Sequence, residues 1–323
     1  MRGRLRPKQS SGRIATRADG PLAMTDITRV GVVGCGLMGS GIAQAAATAG
    51  FDTIVRDVAE PLLERGRSGI IKSLGRLVER GKIPAETREA ALGRLRFVTQ
   101  LSSLRDCDIV IEAVTEELEL KNAVWQELDR VCSPATIFAS NTSSLTISSM
   151  ADATTRADRF VGLHFFNPVP MMPLIEVVRT GTTSRETFDR AFAFATALGK
   201  EPVAAVDRPG FIVNLLLVPY LMDAVRALER GAASTPDIDR AMQLGCGHPM
   251  GPLSLLDFIG LDTVVRIGDI MLDAYREDRY GAPPVLRRMV AAGHHGRKSG
   301  RGFYDYSVEP PTPVDLGQER REQ

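Results

Sequence analysis

Residues 29–57 read RVGVVGCGLMGSGIAQAAATAGFDTIVRD, and this stretch decides the fold. A short apolar run, 29–33, is followed by a glycine-rich turn, a helical pattern over 37–49 and a second apolar run that ends at Asp57. Strand, glycine turn, helix, strand and acid is the order of a βαβ dinucleotide-binding unit. The stretch therefore predicts an α/β protein with a Rossmann-type doubly wound sheet.

The turn GCGLMG carries glycines at the spacing that a dinucleotide requires. Gly34 permits the tight turn, Gly36 lets the backbone approach a pyrophosphate, and Gly39 lets the helix pack on the strand. Together with Leu37 and Met38, they would place the phosphates at the helix N-terminus. Free N–H groups and the helix dipole favour negative charge there.

Asp57 indicates which dinucleotide is bound. It follows Gly39 by eighteen residues, where an acid hydrogen-bonds the adenosine ribose hydroxyls and repels a 2′-phosphate. NAD is therefore favoured over NADP. The neighbouring Arg56 is the feature that argues the other way.

The composition bounds the class of protein. With 323 residues, 44% of them hydrophobic, the chain is long enough for two domains. Forty basic against thirty-nine acidic residues leave a net charge of +1, so no overall field attracts nucleic acid or a membrane. The most apolar window, 211–228, is interrupted by Pro219 and by polar residues, which argues against a transmembrane span. Four widely separated cysteines predict no disulfide framework, no metal site and a reducing compartment.

Residues 1–23 are rich in arginine, contain one acid and lack an apolar run, which excludes a secretory signal peptide. This composition fits a transit peptide and fits equally well a disordered or misassigned leader ahead of Met24. We therefore expect a cytoplasmic protein, with the mitochondrial matrix as the alternative.

The α/β alternation continues as far as Asp207 and then gives way to helical patterns. We expect a dinucleotide-binding domain over 24–207, with a helical hairpin over 60–93, and a helical domain over 208–323. Ser73, Arg76 and Arg80 share one face of the hairpin and could hold phosphates. Taken by itself, that face is better interpreted as a solvated basic surface.

Polar residues follow two predicted strands. The run IVIEAV, 109–114, leads to Glu116 and Lys121, and the strand 137–139 ends in SNTSSL, which includes Ser143. Ligands of open α/β sheets lie beyond the carboxyl ends of the strands, so Glu116 and Lys121 are placed to meet cofactor or substrate. The hydroxyl cluster could cap a helix or contact a reacting group.

The stretch HFFNPVPMMPLIE, 164–176, holds a histidine and a carboxylate near the ends of two extended segments. Histidine exchanges protons near neutral pH, and a carboxylate can fix its tautomer. The prolines between them indicate a stiff loop. By itself, the pattern fits an ordinary hydrogen-bonded histidine better than a catalytic base.

From 27 to 306, the chain resembles the L-3-hydroxyacyl-CoA dehydrogenase family, and within it the short 3-hydroxybutyryl-CoA dehydrogenases. The resemblance is carried by the strings VGVVGCGLMGSGIAQ, IEAVTEE, ASNTSSL, GLHFFNPVPMMPLIEVV, PGFIVN, GHPMGPLSLLDFIGLD and GRKSGRGFYDY. It implies NAD-dependent interconversion of L-3-hydroxybutyryl-CoA and acetoacetyl-CoA in fatty acid or butanoate metabolism, by a homodimer that associates through the helical domain.

The resemblance also implies roles for individual residues. His164 would be the base, Glu176 its carboxylate partner, and Ser143 and Asn214 would orient the substrate. The matching cofactor contacts are Gly34, Gly36, Leu37, Met38, Gly39, Asp57, Glu116, Lys121, Ser143, Asn167 and Lys298. Ser73, Arg80 and Ser143 would contact the CoA substrate.

Two positions depart from the family pattern: Arg80 replaces a frequent lysine, and Leu215 follows Asn214 where many relatives carry arginine. Two other functions stay open, a dehydrogenase of a free hydroxy or sugar acid and a non-catalytic NAD-binding protein.

Overall fold

The fold is described over residues 25–315 of a computed structural model. The leader predicted for residues 1–23 lies outside the described residues. Across 25–315, none of the helices combines the length and the apolarity needed to span a lipid bilayer.

Within residues 25–315, eight strands form one large sheet in the order β3-β2-β1-β4-β5-β6-β7-β8. In chain order the strands are β1 (Arg29–Val33), β2 (Asp52–Arg56), β3 (Leu95–Val98), β4 (Ile109–Glu112), β5 (Ile137–Ser140), β6 (Phe160–Phe165), β7 (Leu174–Arg179) and β8 (Glu201–Val206). The first six are parallel, and the strand order changes direction between β1 and β4. A crevice therefore opens at the carboxyl ends of β1 and β4, where doubly wound sheets bind their ligands.

Six helices connect these strands. They are α1 (Leu37–Ala49), α2 (Glu60–Glu79), α3 (Ala85–Gly93), α4 (Leu118–Val131), α5 (Ile147–Ala151) and α6 (Arg185–Ala197). The helical hairpin predicted over 60–93 is present as α2 and α3. The sequence patterns did not indicate the strand β3, and the strand expected over 109–114 ends at Glu112. The helix that could follow the hydroxyl cluster is present as α5, although among the described residues no side chain of that cluster caps it.

The last two strands run against the others. β7 pairs antiparallel with β6, and β8 runs parallel to β7. The proline-containing loop between β6 and β7 reverses the chain, so the two strands lie side by side. In this register His164 lies directly opposite Glu176.

Apolar side chains cover both faces of the sheet. On one face Trp125 packs against Phe138 and Phe160, with ring centroids 5.0 and 4.7 Å apart. Aromatic pairs of this kind add roughly 0.5–1.5 kcal/mol each beyond the area that they bury. These contacts pack α4 against β5 and β6.

The alternation ends with β8, and a helical unit follows. It consists of α7 (Val213–Glu229), α8 (Thr235–Cys246), α9 (Pro252–Ile259), α10 (Leu261–Tyr275) and α11 (Pro284–Ala291), with a short ladder of β9 (Tyr304–Asp305) and β10 (Thr312–Pro313). The sequence predicted only helices and turns for this region, so the β9–β10 ladder was not expected.

Two buried aspartates explain the long motifs of the helical unit. Asp239 accepts hydrogen bonds from the backbone N–H groups of Leu253 and Ser254, at the first turn of α9. Asp257 accepts from the N–H groups of Phe303 and Tyr304. The side chains of Asp239 and Asp257 thus bind residues 303–306 to α8 and α9.

Candidate active site

His164 and Glu176 form the centre of the site. Both are buried, and His164 Nδ1 lies 2.6 Å from a carboxylate oxygen of Glu176. Directly opposite residues of an antiparallel pair project from the same face of the sheet, which brings the two side chains together. The predicted contact between them is present.

The second carboxylate oxygen of Glu176 connects the sheet domain to the helical unit. It accepts hydrogen bonds from the backbone N–H groups of Ile212 and Val213, at 3.0 and 2.9 Å. These groups lie at the N-terminus of α7, where the helix dipole favours a negative charge. Phe211, just before them, adopts a left-handed backbone with φ of 46°, which turns the chain into the helix. The sequence patterns did not indicate this contact.

These bonds fix the orientation of the imidazole. A carboxylate accepts hydrogen bonds, so Nδ1 of His164 carries a proton, and in the neutral imidazole Nε2 then has the lone pair. Phe166 and Phe211 flank the ring, with centroids 4.4 and 5.6 Å away. The arrangement presents one proton-accepting atom, Nε2, in a largely apolar setting.

Asn214 and Ser143 come together as the second predicted pair. Asn214 Nδ2 donates a hydrogen bond to the backbone carbonyl of Ser143 at 3.1 Å. Asn214 follows Val213 in the first turn of α7, so the same helix end contacts both Glu176 and the Ser143 loop. The N-terminus of α7 therefore positions both predicted pairs.

Glu116 organises the loop that carries Ser143. One oxygen of Glu116 accepts bonds from Thr142 Oγ1 at 2.6 Å, from the N–H of Ser143 at 3.0 Å and from Ser144 Oγ at 2.9 Å. Burial acts to raise the pKa of Glu116, but the Lys121 ammonium and these hydrogen bonds outweigh it and hold the pKa below its ordinary value. Glu116 thus stays ionised and keeps the loop in place.

Lys121 lies beneath the site. It is 1% exposed, and its ammonium lies 2.6 Å from Glu112 and 3.2 Å from Glu116. Glu112 is fully buried and also accepts from Ser140 Oγ at 2.7 Å. Sequence patterns did not single out Glu112, although an acid inside an apolar run signals a buried charge that needs a partner.

The glycine turn forms a cradle for a dinucleotide. A Cβ on Gly39 would lie 1.7 Å from the carbonyl oxygen of Gly34, whereas a Cβ on Gly36 would meet no protein atom within 4 Å. Gly39 is thus required for packing, and Gly36 leaves open space in front of α1. Among residues 25–315, no side chain caps the N-terminus of α1, so the N–H groups there can bind a phosphate.

Beside the turn lies a pocket of about 350 Å³, lined by Asp57, Leu62, Arg65, Val114 and Leu120 among others. Asp57 accepts a hydrogen bond from the N–H of Cys35 at 2.7 Å, which fixes the carboxylate at the pocket wall. The turn, the open space and the carboxylate fit the pyrophosphate and adenosine ribose of NAD.

Two arginines also line this pocket. Arg56 donates from Nε to the carbonyl of Thr99 at 3.0 Å, and Arg65 reaches the pocket from α2. The sequence patterns did not indicate Arg65. Since arginine favours a 2′-phosphate, the expectation that NAD is preferred to NADP rests on Asp57.

Comparison with known proteins identifies the family. The family model described as "3-hydroxyacyl-CoA dehydrogenase, NAD binding domain" matches residues 29–208, and the one described as "3-hydroxyacyl-CoA dehydrogenase, C-terminal domain" matches 210–306. The chain belongs to the 3-hydroxyacyl-CoA dehydrogenase family. It is an NAD-dependent enzyme.

Individual members of the family are closely similar. A 3-hydroxybutyryl-CoA dehydrogenase of Mycobacterium tuberculosis is 51% identical over 282 residues, 87% of this chain and 99% of that protein. The human mitochondrial hydroxyacyl-coenzyme A dehydrogenase is 48% identical over 287 residues, 87% of this chain and 91% of that protein. The crystal structure of (S)-3-hydroxybutyryl-CoA dehydrogenase from Ralstonia eutropha superimposes with a TM-score of 0.84 at 42% identity, covering 88% of this chain and all of that chain.

Four residues that match family positions lie apart from the contact network around His164. Ser73 and Arg80 lie on and at the end of α2, and Asn167 lies in the loop after β6. Lys298 pairs with Asp262 of α10 at 2.6 Å. Within residues 25–315, no hydrogen bond or ion pair joins these four to His164, Glu176, Ser143 or Asn214. Their roles as ligand contacts stay predictions.

Proposed function

We propose that this chain oxidises short-chain L-3-hydroxyacyl-CoA to 3-ketoacyl-CoA with NAD and catalyses the reverse reaction, interconverting L-3-hydroxybutyryl-CoA and acetoacetyl-CoA. The observation that carries the proposal is the 2.6 Å contact between His164 Nδ1 and Glu176, which leaves Nε2 free. The printed names of the similar proteins support the substrate class.

His164 is the proton acceptor in this proposal. Its Nε2 takes the proton of the 3-hydroxyl group, and Glu176 stabilises the resulting imidazolium. Because the α7 N–H groups hold Glu176 from its other side, the carboxylate need not move when the imidazole becomes charged. NAD, when bound, supplies the hydride acceptor.

Ser143 and Asn214 orient the substrate oxygen. Ser143 Oγ lies 3.5 Å from Glu116, beyond a strong hydrogen bond, so the hydroxyl is free to turn toward a ligand. Asn214 uses one amide N–H to hold the Ser143 loop, and its carbonyl oxygen remains available. Positioning of this kind contributes to the rate because the reacting atoms start in a productive geometry.

The CoA moiety would lie along α2. Ser73 lies on α2 and Arg80, seven positions later, is the residue that caps the end of this helix, so the two lie near the same face. The Arg80 guanidinium offers a planar fork to phosphate, where a lysine would offer a point charge. In this proposal the hairpin holds the phosphate end of the substrate, and Asn167 and Lys298 lie toward the cofactor.

One assay tests the proposal: NADH oxidation with acetoacetyl-CoA, longer 3-ketoacyl-CoAs and free acetoacetate measured side by side. We expect acetoacetyl-CoA to give the highest kcat/KM. Preference for free acetoacetate would instead support a hydroxy-acid dehydrogenase. Inactivity with every substrate in the panel would support a non-catalytic NAD-binding protein.

We also propose a homodimer formed through the helical unit. Leu216 of α7, Leu244 of α8 and Phe258 of α9 are 65%, 72% and 41% exposed. Exposed large apolar side chains on neighbouring helices favour association with a second copy. Light scattering after size exclusion should give twice the mass of 35.0 kDa, and Leu244→Glu should shift the protein toward the monomer.

We propose a reducing compartment, the cytoplasm, as the location. All four cysteines are free thiols, and three of them are buried. Fluorescence from a C-terminal fusion should be diffuse, whereas a signal confined to an organelle would contradict the proposal.

A further inference from the structure

The strand that carries His164 and the loop that carries Ser143 are joined by backbone pairing only part of the way. β5 pairs with β6 as far as Ser140 and Gly162, and within residues 25–315 the pairing of these two strands ends there. His164 lies two residues beyond Gly162, and Ser143 lies three residues beyond Ser140. The two side chains assigned to one substrate oxygen therefore lie beyond the paired part of the strands.

The side chain of Asn141 spans this gap. Its Oδ1 accepts a hydrogen bond from the backbone N–H of Phe165 at 2.9 Å. The N–H of Asn141 donates to the carbonyl of Glu112 at 2.8 Å, so its backbone is held at β4 while its side chain reaches β6. Phe165 is buried, and the amide oxygen of Asn141 supplies the partner that its N–H group requires.

The other anchors of the Ser143 loop lead away from β6. Glu116, which accepts from the N–H of Ser143, follows β4, and Asn214, which donates to the carbonyl of Ser143, belongs to α7. Among residues 25–315, no other side-chain hydrogen bond joins 141–146 to β6. Because β7 holds β6 from its opposite edge, the contact made by Asn141 fixes the loop relative to the end of β6.

We propose that Asn141 is a positioning residue, which sets the separation between His164 Nε2 and Ser143 Oγ. The inference rests on the proposed function, because it requires both atoms to meet the 3-hydroxyl oxygen of the substrate. Asn141 acts through the backbone of Phe165, the residue after His164, and through the two peptide bonds that lead to Ser143. A misplacement of about 1 Å can lower a rate by roughly 10²-fold, so a residue outside the reacting atoms can limit turnover.

The chemistry of the amide suggests two informative substitutions. Leucine has a similar shape but no acceptor, so Asn141→Leu leaves the N–H of Phe165 without its partner. Aspartate keeps an oxygen at the same position, so Asn141→Asp retains the bond. Asn141 is only partly buried, and Asn141→Ala, which lets water reach the N–H group, serves in place of Asn141→Leu if that variant does not fold.

Steady-state kinetics with NADH and acetoacetyl-CoA measure the effect. We expect Asn141→Leu to lower kcat about tenfold, because the reacting groups lose their alignment. The Kd for NADH and the KM for acetoacetyl-CoA should stay within about twofold of the wild type, since binding contacts are unchanged. Asn141→Asp should recover most of the lost kcat. The matched control is Asn122→Leu on α4, which should keep the wild-type kcat because Asn122 Oδ1 has no hydrogen-bond partner within residues 25–315.

A double-mutant cycle distinguishes positioning from a general loss of stability. If Asn141 acts by aligning Ser143 with His164, Asn141→Leu should lower kcat much less in the Ser143→Ala background than in the wild type. Effects of the two substitutions that simply multiply would show that the inference is wrong.

Two further outcomes would also overturn the inference. One is a wild-type kcat in Asn141→Leu, and the other is an Asn141→Asp variant no more active than Asn141→Leu. With an active wild type, either result rejects the role of Asn141 and leaves the proposed function in place. A wild type that reduces none of the 3-keto substrates would reject the proposed function and this inference with it.

Discussion

Two clusters of buried carboxylates sit at the centre of the two parts of this molecule. In the sheet domain, Glu116 has the Lys121 ammonium beside it. In the helical unit, Asp257 has no ion pair within residues 25–315 and accepts only from backbone N–H groups and from Tyr306. The pKa of Glu116 is held below its ordinary value, whereas burial, aided by the nearby Asp239, raises the pKa of Asp257 to about 6.

The difference between the two pKa shifts shows that a buried carboxylate in a catalytic site requires partners other than those of a purely structural carboxylate. Backbone N–H groups suffice to orient a carboxylate, as Asp257 shows. A cation or an imidazole is required to stabilise its charge away from water. The candidate active site has both kinds of partner: Lys121 stabilises the charge of Glu116, and His164 lies beside Glu176. The site can therefore exchange a proton while its side chains keep their positions.

The largest expected effect comes from removing the cation of the sheet cluster. Lys121→Met leaves Glu112 and Glu116 without their shared ammonium, and we expect a loss of about 3–5 kcal/mol in the free energy of unfolding. Urea denaturation measures it. Lys72→Met, at an exposed position on α2, is the matched control and should change stability by less than about 0.5 kcal/mol.

The double variant Glu112→Gln/Lys121→Met sharpens this test. Removing both charges leaves less uncompensated charge, so the double variant should unfold at higher urea than Lys121→Met alone. Losses that simply add would show that Glu112 and Lys121 act independently.

The second test compares one histidine from each part of the molecule. His164→Gln should lower kcat by about 10²-fold, at the lower end of general-base contributions, with little change in NADH binding. Glu176→Gln should lower kcat by a similar factor, again with little change in NADH binding. His248 bonds Tyr220 at 3.2 Å in the helical unit, and His248→Gln should leave kcat within about twofold of the wild type. Near-normal turnover in His164→Gln would overturn the mechanism.

The pH dependence of stability should have opposite signs in the two clusters. The pKa of Glu116 is lowered on folding, so its contribution is present above about pH 4.5 and is lost as the pH falls below that value. The pKa of Asp257 is raised on folding, so its contribution is present at low pH and is lost as the pH rises toward about 6.

Urea unfolding between about pH 2 and pH 7 measures the difference. Asp257→Asn should remove a pH-dependent loss on the order of 2 kcal/mol between pH 4 and pH 6. Glu116→Gln should leave that range unaltered and remove the loss at lower pH. Parallel curves for wild type and Asp257→Asn would contradict the assignment.

The smallest effect concerns the carboxylate at the dinucleotide pocket. We expect the wild type to use NADH at least tenfold better than NADPH, a difference of roughly 1.4 kcal/mol in kcat/KM. Asp57→Ala should lower the ratio of kcat/KM with NADH to kcat/KM with NADPH. The variant lacks the carboxylate that repels a 2′-phosphate, whereas Arg56 and Arg65, which attract it, remain. A wild type that prefers NADPH would show that the two arginines outweigh Asp57.

The secondary-structure elements that depend on residues close together in the sequence were predictable. Apolar periodicity and the glycine turn placed β1, α1 and the hairpin, because these depend on neighbours in sequence. β3 was not indicated, since it is short and is stabilised by strand pairing with β2. A helix after the hydroxyl cluster was one of two interpretations, but the sequence did not indicate that Asp207 binds the N–H groups at the start of α5.

The sequence by itself determined the dinucleotide unit and the helical hairpin, and it placed His164 and Glu176 near the ends of two extended segments, since each feature depends on residues close together along the chain. The resemblance to the family was needed to assign these two residues as a catalytic pair. Only the tertiary structure decided that β6 and β7 run antiparallel, which sets the two side chains opposite each other. Only the tertiary structure, too, brought the N-terminus of α7 to Glu176 and Lys121 to Glu112. These contacts depend on the packing of two domains and on the pairing of buried charges, and no local pattern of residues specifies either.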